Sequence, residues 1–243
     1  MHSNKYILTY IIGLSAIVAL LLAMTYSGLK PIHDDNESLF KKRDILSAIR
    51  DKLPMDVATC SKEMLFDVFD NKVEQVVIDA NGKVVEGKKA DDIDMKQEEK
   101  KPEAERLYPI YIYTADDGKK YYLVAVRGNG LWDKIWGTIA IEDDFNTIAG
   151  VSFDHVTETA GLGAEIKDNP AFKDQFKGKK IFDENGNYVS VAVVKGGVKD
   201  PDHQVDAIAG ATITSNGVTE MLKKGLAVYV PYFESLKKAK EKG

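Results

Sequence analysis

Four hydroxyl side chains crowd the segment VDAIAGATITSNGVTE, which runs from Val205 to Glu220. They are Thr212, Thr214, Ser215 and Thr219. Two kinds of chemistry use hydroxyls at this spacing: they cap free amide groups at the start of a helix, or one oxygen carries a covalently bound group. Capping explains one or two of them, and Thr214 and Ser215 are the expected caps.

Thr212 differs from the other three hydroxyl residues because the small pair Gly210 and Ala211 directly precedes it. This pair removes side-chain bulk beside the hydroxyl. We expect a helix from about Asn216, whose partly positive N-terminus points back toward Thr212 and would stabilise a phosphate ester there. The residues leave two interpretations of Thr212 open, a capping turn and an attachment site.

The segment TETAGLGAE has the composition of a loop that can contact a flat ligand. Gly161 and Gly163 allow a close approach of the backbone, and Leu162 offers an apolar face. Glu158 and Thr159 can form hydrogen bonds with the polar edge of a ring. An ordinary glycine-rich turn explains the same residues, and the segment by itself favours that simpler interpretation.

The residues present exclude several classes of site. GLGAEI has Ile166 where a dinucleotide fingerprint needs its third glycine, and the sequence has no Walker loop. The histidines lie too far apart to indicate a metal site, and Cys60 is the only cysteine, so no disulfide can form within the chain. The net charge of −5 argues against a nucleic-acid partner. Each of Trp132 and Trp136, considered by itself, is most simply interpreted as an aromatic residue of the core or of a lid.

The N-terminal segment Tyr6–Leu29 contains no charged residue and is long enough to cross the roughly 30 Å hydrocarbon core of a membrane as one helix. A cleaved signal peptide has an apolar region of only about 7–15 residues, so a retained anchor is the preferred interpretation. Basic residues after the span outnumber those before it, and a literal charge count places the large domain in the cytoplasm. The residues alone leave the side open.

The chain after residues 1–29, the tail and anchor, is predicted to have two parts. A connecting segment, 30–54, contains a helix with Ser38 as its N-cap and ends at Pro54. The remaining domain, 55–243, has a charged excursion at about 87–106 that is almost free of apolar residues and is expected to be solvated.

Tight-turn signals predict three hairpins, at Asn81–Gly82, Asp117–Gly118 and Asn185–Gly186. Alternating apolar residues predict two further strands, Ile135–Ile141 and Ile148–Phe153, joined by a turn. These patterns indicate a largely antiparallel sheet.

Helix signals complete the domain. Asn169 and Pro170 predict the cap and first residue of a short helix, and the final helix runs from about Asn216 with Pro231 kinking or ending it. The predicted fold class is α+β, with one N-terminal transmembrane helix followed by a soluble domain.

Five segments in order along the chain make the sequence recognisable. It resembles the family of the C subunit of the sodium-pumping NADH:quinone oxidoreductase, from the anchor through the final helix. The G subunit of the related Rnf ion-pumping complex shares the flavin domain, but the first two segments are more similar to the former family. The segments are FKKRDIL, GLWDKIWGTIAIEDDFNTIAG, ETAGLGAEI, VKGG and VDAIAGATITSNGV.

The resemblance implies that FMN is joined through its phosphate to Thr212, the last residue of a motif that begins at Asp206, by a separate flavin transferase. Ala209 stands where the family motif usually has Ser or Thr, and Ala160 stands where proline is usual. The resemblance also implies a set of residues that line the flavin, which are Trp132, Glu158, Thr159, Leu162, Gly163 and Lys195.

The implied function is an electron relay with no substrate chemistry of its own. Its implied partners are the other membrane and redox subunits of the quinone oxidoreductase complex. The resemblance places the single-pass chain in the bacterial inner membrane with its flavin domain on the periplasmic side. The alternatives are a component like the Rnf flavin subunit and, from another class, a non-redox anchored binding or scaffold module whose threonines are only caps.

Overall fold

A computed structural model describes residues 3–242, which divide into two compact units at the step from Lys42 to Arg43. The long helix α1 spans Asn4–Ser47 and contains Pro31. It includes a segment that is long and apolar enough to cross a membrane, judged by length and composition, and none of that segment is buried. The division at Lys42 lies inside the predicted connecting segment, whose boundaries stay predictions.

The prediction that a helix begins at Ser38 is wrong, because α1 passes through this residue and ends at Ser47. Pro31 removes one helical hydrogen bond. An ion pair of 2.7 Å between Lys30 Nζ and Asp34 Oδ2, one turn apart, spans the proline and supports the helix there. A short 3₁₀ turn, Arg50–Lys52, follows before Pro54.

The second unit is built on a five-stranded antiparallel sheet whose strands follow chain order, β1-β2-β3-β4-β5, together with a separate parallel pair, β6 and β7. The strands are β1 (Val73–Ile78), β2 (Tyr108–Thr114), β3 (Lys120–Asn129), β4 (Lys134–Glu142), β5 (Ile148–His155), β6 (Ala192–Val194) and β7 (Gln204–Asp206). The further helices are α2 (Lys62–Lys72), α3 (Met95–Glu98), α4 (Glu165–Asp168), α5 (Pro170–Asp174), α6 (Thr212–Ala227) and α7 (Val230–Lys242). The predicted α+β class and largely antiparallel sheet are confirmed.

The central hairpin forms as predicted. Gly118 has a φ of +82°, which glycine adopts without strain, and the amide of Ala115 donates to the carbonyl of Lys119 to start the β2–β3 ladder. The predicted pair of strands after Trp132 is also present as β4 and β5. Asn169 caps α5 by accepting from the amides of Ala171 and Phe172.

The other two predicted hairpins are wrong as strand pairs. Gly82 and Gly186 do occupy turns with positive φ. Beyond each turn the returning chain forms only an isolated bridge, Ile78↔Val84 or Phe182↔Tyr188. Asp79 accepts the amides of Asn81 and Lys83, so a side chain closes the turn locally and no extended ladder is needed to hold it.

Helices α6 and α7 pack against one face of the sheet. Their apolar residues and those of the sheet form the main hydrophobic core. The cluster includes Val124 and Ile139 from the sheet, Val218 and Leu222 from α6, and Phe233 from α7. The predicted single final helix is therefore wrong in two respects. Its helix starts at Thr212, four residues before Asn216, and Pro231 lies in the first turn of a new helix, where its missing amide N–H costs nothing.

The charged excursion is mostly exposed, as predicted, and polar contacts hold it against the sheet. Gln75 of β1 donates to the Asp91 carboxylate and accepts from the Asp91 amide, at 3.0 and 2.9 Å. Tyr111 of β2 donates its hydroxyl to the same carboxylate. Glu99 forms an ion pair with Arg127 of β3, 3.1 Å apart. Ala90 and Ile93 are buried beside these contacts. Because the polar partners lie on distant segments, hydrophobic patterning did not predict how the excursion is held.

Candidate functional site

The site lies where the two parallel strands end and α6 begins. Val194, the last residue of β6, pairs with Asp206, the last residue of β7, and Lys195 follows directly. The backbone then turns at Gly210, whose φ of +77° favours glycine. On α6, Thr219 Oγ1 accepts the amide of Val193 at 2.9 Å and holds the helix against β6.

Three of the four hydroxyl residues face the protein interior. Thr214 donates to Glu158 Oε2 at 2.6 Å and is 1% exposed. Ser215 Oγ is buried and has no hydrogen-bond partner among residues 3–242. Thr219 contacts β6 as described above. Thr212 is exposed.

The prediction that Thr214 and Ser215 cap the helix is wrong. The N-cap residue is Ala211, and no side-chain cap is present. Because α6 begins at Thr212, Thr214 and Ser215 fall inside its first turn, too late to occupy the N-cap position.

The start of α6 therefore keeps free hydrogen-bond donors beside an exposed hydroxyl. The first amides of an α-helix have no acceptor within the helix. In the part of the chain that the structure describes, the amides of Thr212, Ile213 and Thr214 also have no acceptor elsewhere. Such donors and the positive end of the helix dipole favour an anion such as a phosphate group.

Glu158 lies at the centre of the site and is only 7% exposed. Its Oε1 accepts the backbone amide of Trp132 at 3.0 Å, and its Oε2 accepts the Thr214 hydroxyl. Its own amide donates to His155 Nδ1 at 3.2 Å. Both carboxylate oxygens already accept hydrogen bonds from the protein. The side chain is therefore not the free hydrogen-bonding group for the polar edge of a ring that the sequence suggested.

The loop around Leu162 lies next to both the Trp132 segment and the Gly210 turn. Trp132 Nε1 donates to Thr159 Oγ1 at 3.2 Å. The Leu162 side chain packs so closely on Gly210 that an added Cβ would lie 2.7 Å from Leu162 Cδ2. Trp132 and Leu162 are 67% and 41% exposed, so both present apolar surface to solvent beside the start of α6.

The structure thus brings most of the predicted residues together. Contacts join Trp132, Glu158, Thr159, Leu162, Gly163 and Gly210, and the chain carries Ala211 and Thr212 directly after them. Lys195 follows Val194, the strand partner of Asp206, and both Lys195 and Asp206 are exposed. The Asp206 amide donates to Gln175 Oε1 at 2.8 Å. No group of three or more His, Cys, Asp or Glu in the described chain is arranged to hold a metal ion.

Sequence reasoning missed three contacts that shape this site. Thr214 is a partner of the Glu158 carboxylate, and Gly130 and Gly163 leave no room for a Cβ beside that carboxylate. Gly217 lies against the carbonyl oxygen of Asn129. In the sequence, only the glycine itself indicates that another segment packs closely against this position. It does not identify which segment that is.

His203 stabilises the approach to β7. Its Nδ1 lies 2.9 Å from Asp200 Oδ2 and its Nε2 lies 3.2 Å from the carbonyl oxygen of Phe182. Both partners only accept, so the ring satisfies both when it is doubly protonated. Burial favours the neutral ring, but the Phe182 carbonyl and the Asp200 carboxylate outweigh it and raise the pKa of His203.

We expect the stabilisation by His203 to be lost as the pH rises. A raised folded-state pKa makes the contribution complete below the unfolded value of about 6.5 and removes it as the pH rises through the folded value. Urea unfolding should show His203→Gln less stable than the wild type by about 1 kcal/mol at pH 5.5, with a smaller gap at pH 8.5. A gap that is equal at both pH values would contradict the charged pairing.

Curated relatives match the chain over nearly its whole length. The C subunit of the Na(+)-translocating NADH-quinone reductase of Neisseria meningitidis serogroup B is 33% identical, and the alignment covers 96% of this chain and 94% of that protein. The same subunit of the Haemophilus ducreyi reductase is 31% identical, and the match covers 95% of this chain and 93% of that one. The chain belongs to this family of reductase subunits.

Solved structures and a family model agree with this membership. The corresponding subunit of Parabacteroides distasonis superposes with a TM-score of 0.74 at 37% identity, covering 84% of this chain and 96% of that one. The Shewanella oneidensis structure, NqrC, gives a TM-score of 0.69 at 31% identity and covers 82% and 99%. Residues 130–227 match the model of the FMN-binding domain. That range contains all the predicted site residues.

Proposed function

We propose that this chain carries FMN joined through its phosphate to Thr212 and passes electrons between other redox subunits of a sodium-pumping NADH:quinone oxidoreductase. The observation that supports this most strongly is the difference in exposure among the four hydroxyl residues. Thr212 alone among them is exposed, and it stands at the first residue of a helix that has no capping side chain. The match of residues 130–227 to an FMN-binding domain supports the choice of cofactor.

The residues at the site fit an FMN group attached at this point. The free amides of the first turn of α6 can donate to its phosphate, and Gly210 and Ala211 place no bulky side chain beside it. Lys195 supplies a positive charge at the neighbouring strand end. Trp132 and Leu162 supply exposed apolar surface for the faces of the ring. The bound cofactor supplies one-electron redox chemistry, and the chain supplies its binding and orientation.

The two departures from the family motif do not disturb this geometry. Ala160 replaces the usual proline, but the amides of Leu162 and Ala164 both donate to the Thr159 carbonyl at 3.1 Å and close the loop. Ala209 is exposed in the turn before α6, where no described contact depends on a hydroxyl. Both substitutions are compatible with attachment at Thr212.

An electron relay of this kind needs a modifying enzyme, partner subunits and a membrane location. A flavin transferase attaches the FMN, other subunits donate and accept the electrons, and the apolar segment of α1 anchors the chain in the bacterial inner membrane with the flavin domain in the periplasm. A cysteine placed at exposed Lys88, in a Cys60→Ser background, reports the side through an impermeant thiol reagent. Labelling of intact spheroplasts supports the periplasmic side, and labelling only after lysis contradicts it.

The decisive test of cofactor attachment is the colour of the purified chain. Co-expression with a flavin transferase should give a yellow protein whose colour stays with the precipitate after acid denaturation. A colourless precipitate would support the non-redox scaffold instead. Copurifying subunits separate the quinone oxidoreductase from the Rnf complex, and the names of the relatives given above favour the former.

Changes at the ring-covering residues should alter the flavin without releasing it. Trp132→Ala and Leu162→Lys each remove apolar surface next to the attachment residue and leave Thr212 unchanged. We expect a shifted absorbance band or midpoint potential with full attachment. Val84→Lys, at an exposed apolar residue just beyond the turn that follows β1, is the matched control and should leave both unchanged. Spectra identical to the wild type in both site variants would place the ring elsewhere.

A further inference from the structure

Three separate segments of the chain meet at the Glu158 carboxylate. It accepts the amide of Trp132 from the loop between β3 and β4, and it accepts the hydroxyl of Thr214 from the first turn of α6. Glu158 itself follows β5, and its amide donates to His155 Nδ1, which fixes the start of its own loop.

We propose that Glu158 is a positioning residue, whose carboxylate holds Trp132 and the first turn of α6 at a fixed relative position. We call the carboxylate with these two donors the Glu158 brace. Its consequence for the flavin rests on the proposed function, because Trp132 covers the ring and Thr212 carries it in that proposal. The brace itself is a property of the chain without cofactor.

Packing keeps the carboxylate in place. An added Cβ at Gly130 would collide with Oε1, and one at Gly163 would collide with Oε2 and lie 2.7 Å from Thr214 Oγ1. Two glycines therefore leave room for the carboxylate and enclose it on both sides. A buried carboxylate needs hydrogen-bond donors to offset its lost hydration, and the brace supplies two of them.

The position of Thr214 explains why the brace acts on the attachment point. Thr214 lies two residues after Thr212 in the same helical turn, so a bond that fixes one also limits the movement of the other. Trp132 has an exposed ring. Its described polar contacts are two hydrogen bonds, from its backbone amide to Glu158 and from its Nε1 to Thr159. Loss of the hydrogen bond to Glu158 should free the loop that carries the ring.

Variants of Glu158 and Thr214 separate the effect of the two hydrogen bonds from the effect of the negative charge. In Glu158→Gln, the amide oxygen can accept from Trp132 while the amide nitrogen donates to Thr214 Oγ1, so both bonds survive without the charge. In Glu158→Ala, both bonds are lost. Thr214→Val removes the α6 side of the brace, and Thr214→Ser keeps the hydroxyl and serves as its conservative control.

The first experiment uses the full chain without flavin. A Trp136→Phe background leaves Trp132 as the sole tryptophan, and time-resolved fluorescence anisotropy measures the nanosecond motion of its ring. We expect Glu158→Ala to raise the amplitude of the fast decay about twofold, Thr214→Val to raise it less, and Glu158→Gln and Thr214→Ser to match the parent. Unchanged amplitude in Glu158→Ala, or in Thr214→Val where the alanine variant does not fold, overturns the proposal.

The second experiment uses the chain with attached flavin and reads visible circular dichroism, which depends on the orientation of the ring. Glu158→Ala should lose most of the signal, and Glu158→Gln should keep it. A wild-type chain without any attached chromophore refutes the proposed function and leaves the anisotropy result standing. Equal signals in the wild type and Glu158→Ala, both carrying flavin, show that the brace does not orient the ring.

Discussion

Thr212→Ala should abolish covalent FMN in a host that supplies the transferase, while Thr212→Ser retains it. The alanine variant lacks the one exposed hydroxyl among the four, whereas serine keeps an oxygen at the first residue of α6. The loss should be complete, because no neighbouring hydroxyl can replace it. Thr214 is engaged by Glu158, and Ser215 is buried.

Ser215→Ala is the matched control, since it removes a hydroxyl one turn further along the same helix. Ser215 Oγ has no partner in the described chain, so its removal should leave both attachment and folding stability close to the wild type. Peptide mass spectrometry identifies the modified residue directly. FMN found on Thr214, Ser215 or Thr219, or on none of these residues, would refute the assignment to Thr212.

Gly217→Ala should destabilise the domain by about 2 kcal/mol, although alanine is the better helix former. A Cβ at this position would overlap the backbone carbonyl oxygen of Asn129, which lies at the end of β3. A backbone oxygen in a paired strand cannot rotate away as a side chain does. The helix must therefore shift, and the shift also moves its first turn, where Thr212 lies.

Urea unfolding monitored by circular dichroism measures this effect. Lys223→Ala, at an exposed residue of the same helix, is the control and should change the unfolding free energy by no more than about 0.5 kcal/mol. We also expect Gly217→Ala to incorporate less FMN than Lys223→Ala. A Gly217→Ala variant as stable as the wild type would show that α6 does not rest on Asn129.

Local patterns predicted the elements whose stability is local. The alternation in β4 and β5, the Asp117–Gly118 turn and the Asn169 cap each involve residues close in sequence. The charged excursion was not predictable in the same way, because its order comes from polar partners such as Gln75 and Tyr111 on other segments. Hydropathy carries no information about such pairings.

The four hydroxyls show the same limit within the site. Sequence spacing favoured caps at Thr214 and Ser215, but Thr214 instead bonds Glu158, 56 residues away along the chain. No local rule specifies that partner. The small Gly210–Ala211 pair before Thr212 distinguished this threonine from the other three in the sequence. The structure shows it exposed at the start of α6, and its attachment role stays a prediction.

The chain-order arrangement of the five-stranded sheet bears on when the proposed cofactor attachment can take place. Each strand pairs with the next one in sequence, so most sheet contacts are short-range and can form quickly. Docking of α6 instead requires long-range contacts to Asn129 and Glu158. Thr212, the proposed acceptor, therefore reaches its final surroundings only when the last part of the domain has folded. A modifying enzyme that recognises this setting would act on finished molecules and leave incomplete ones without flavin.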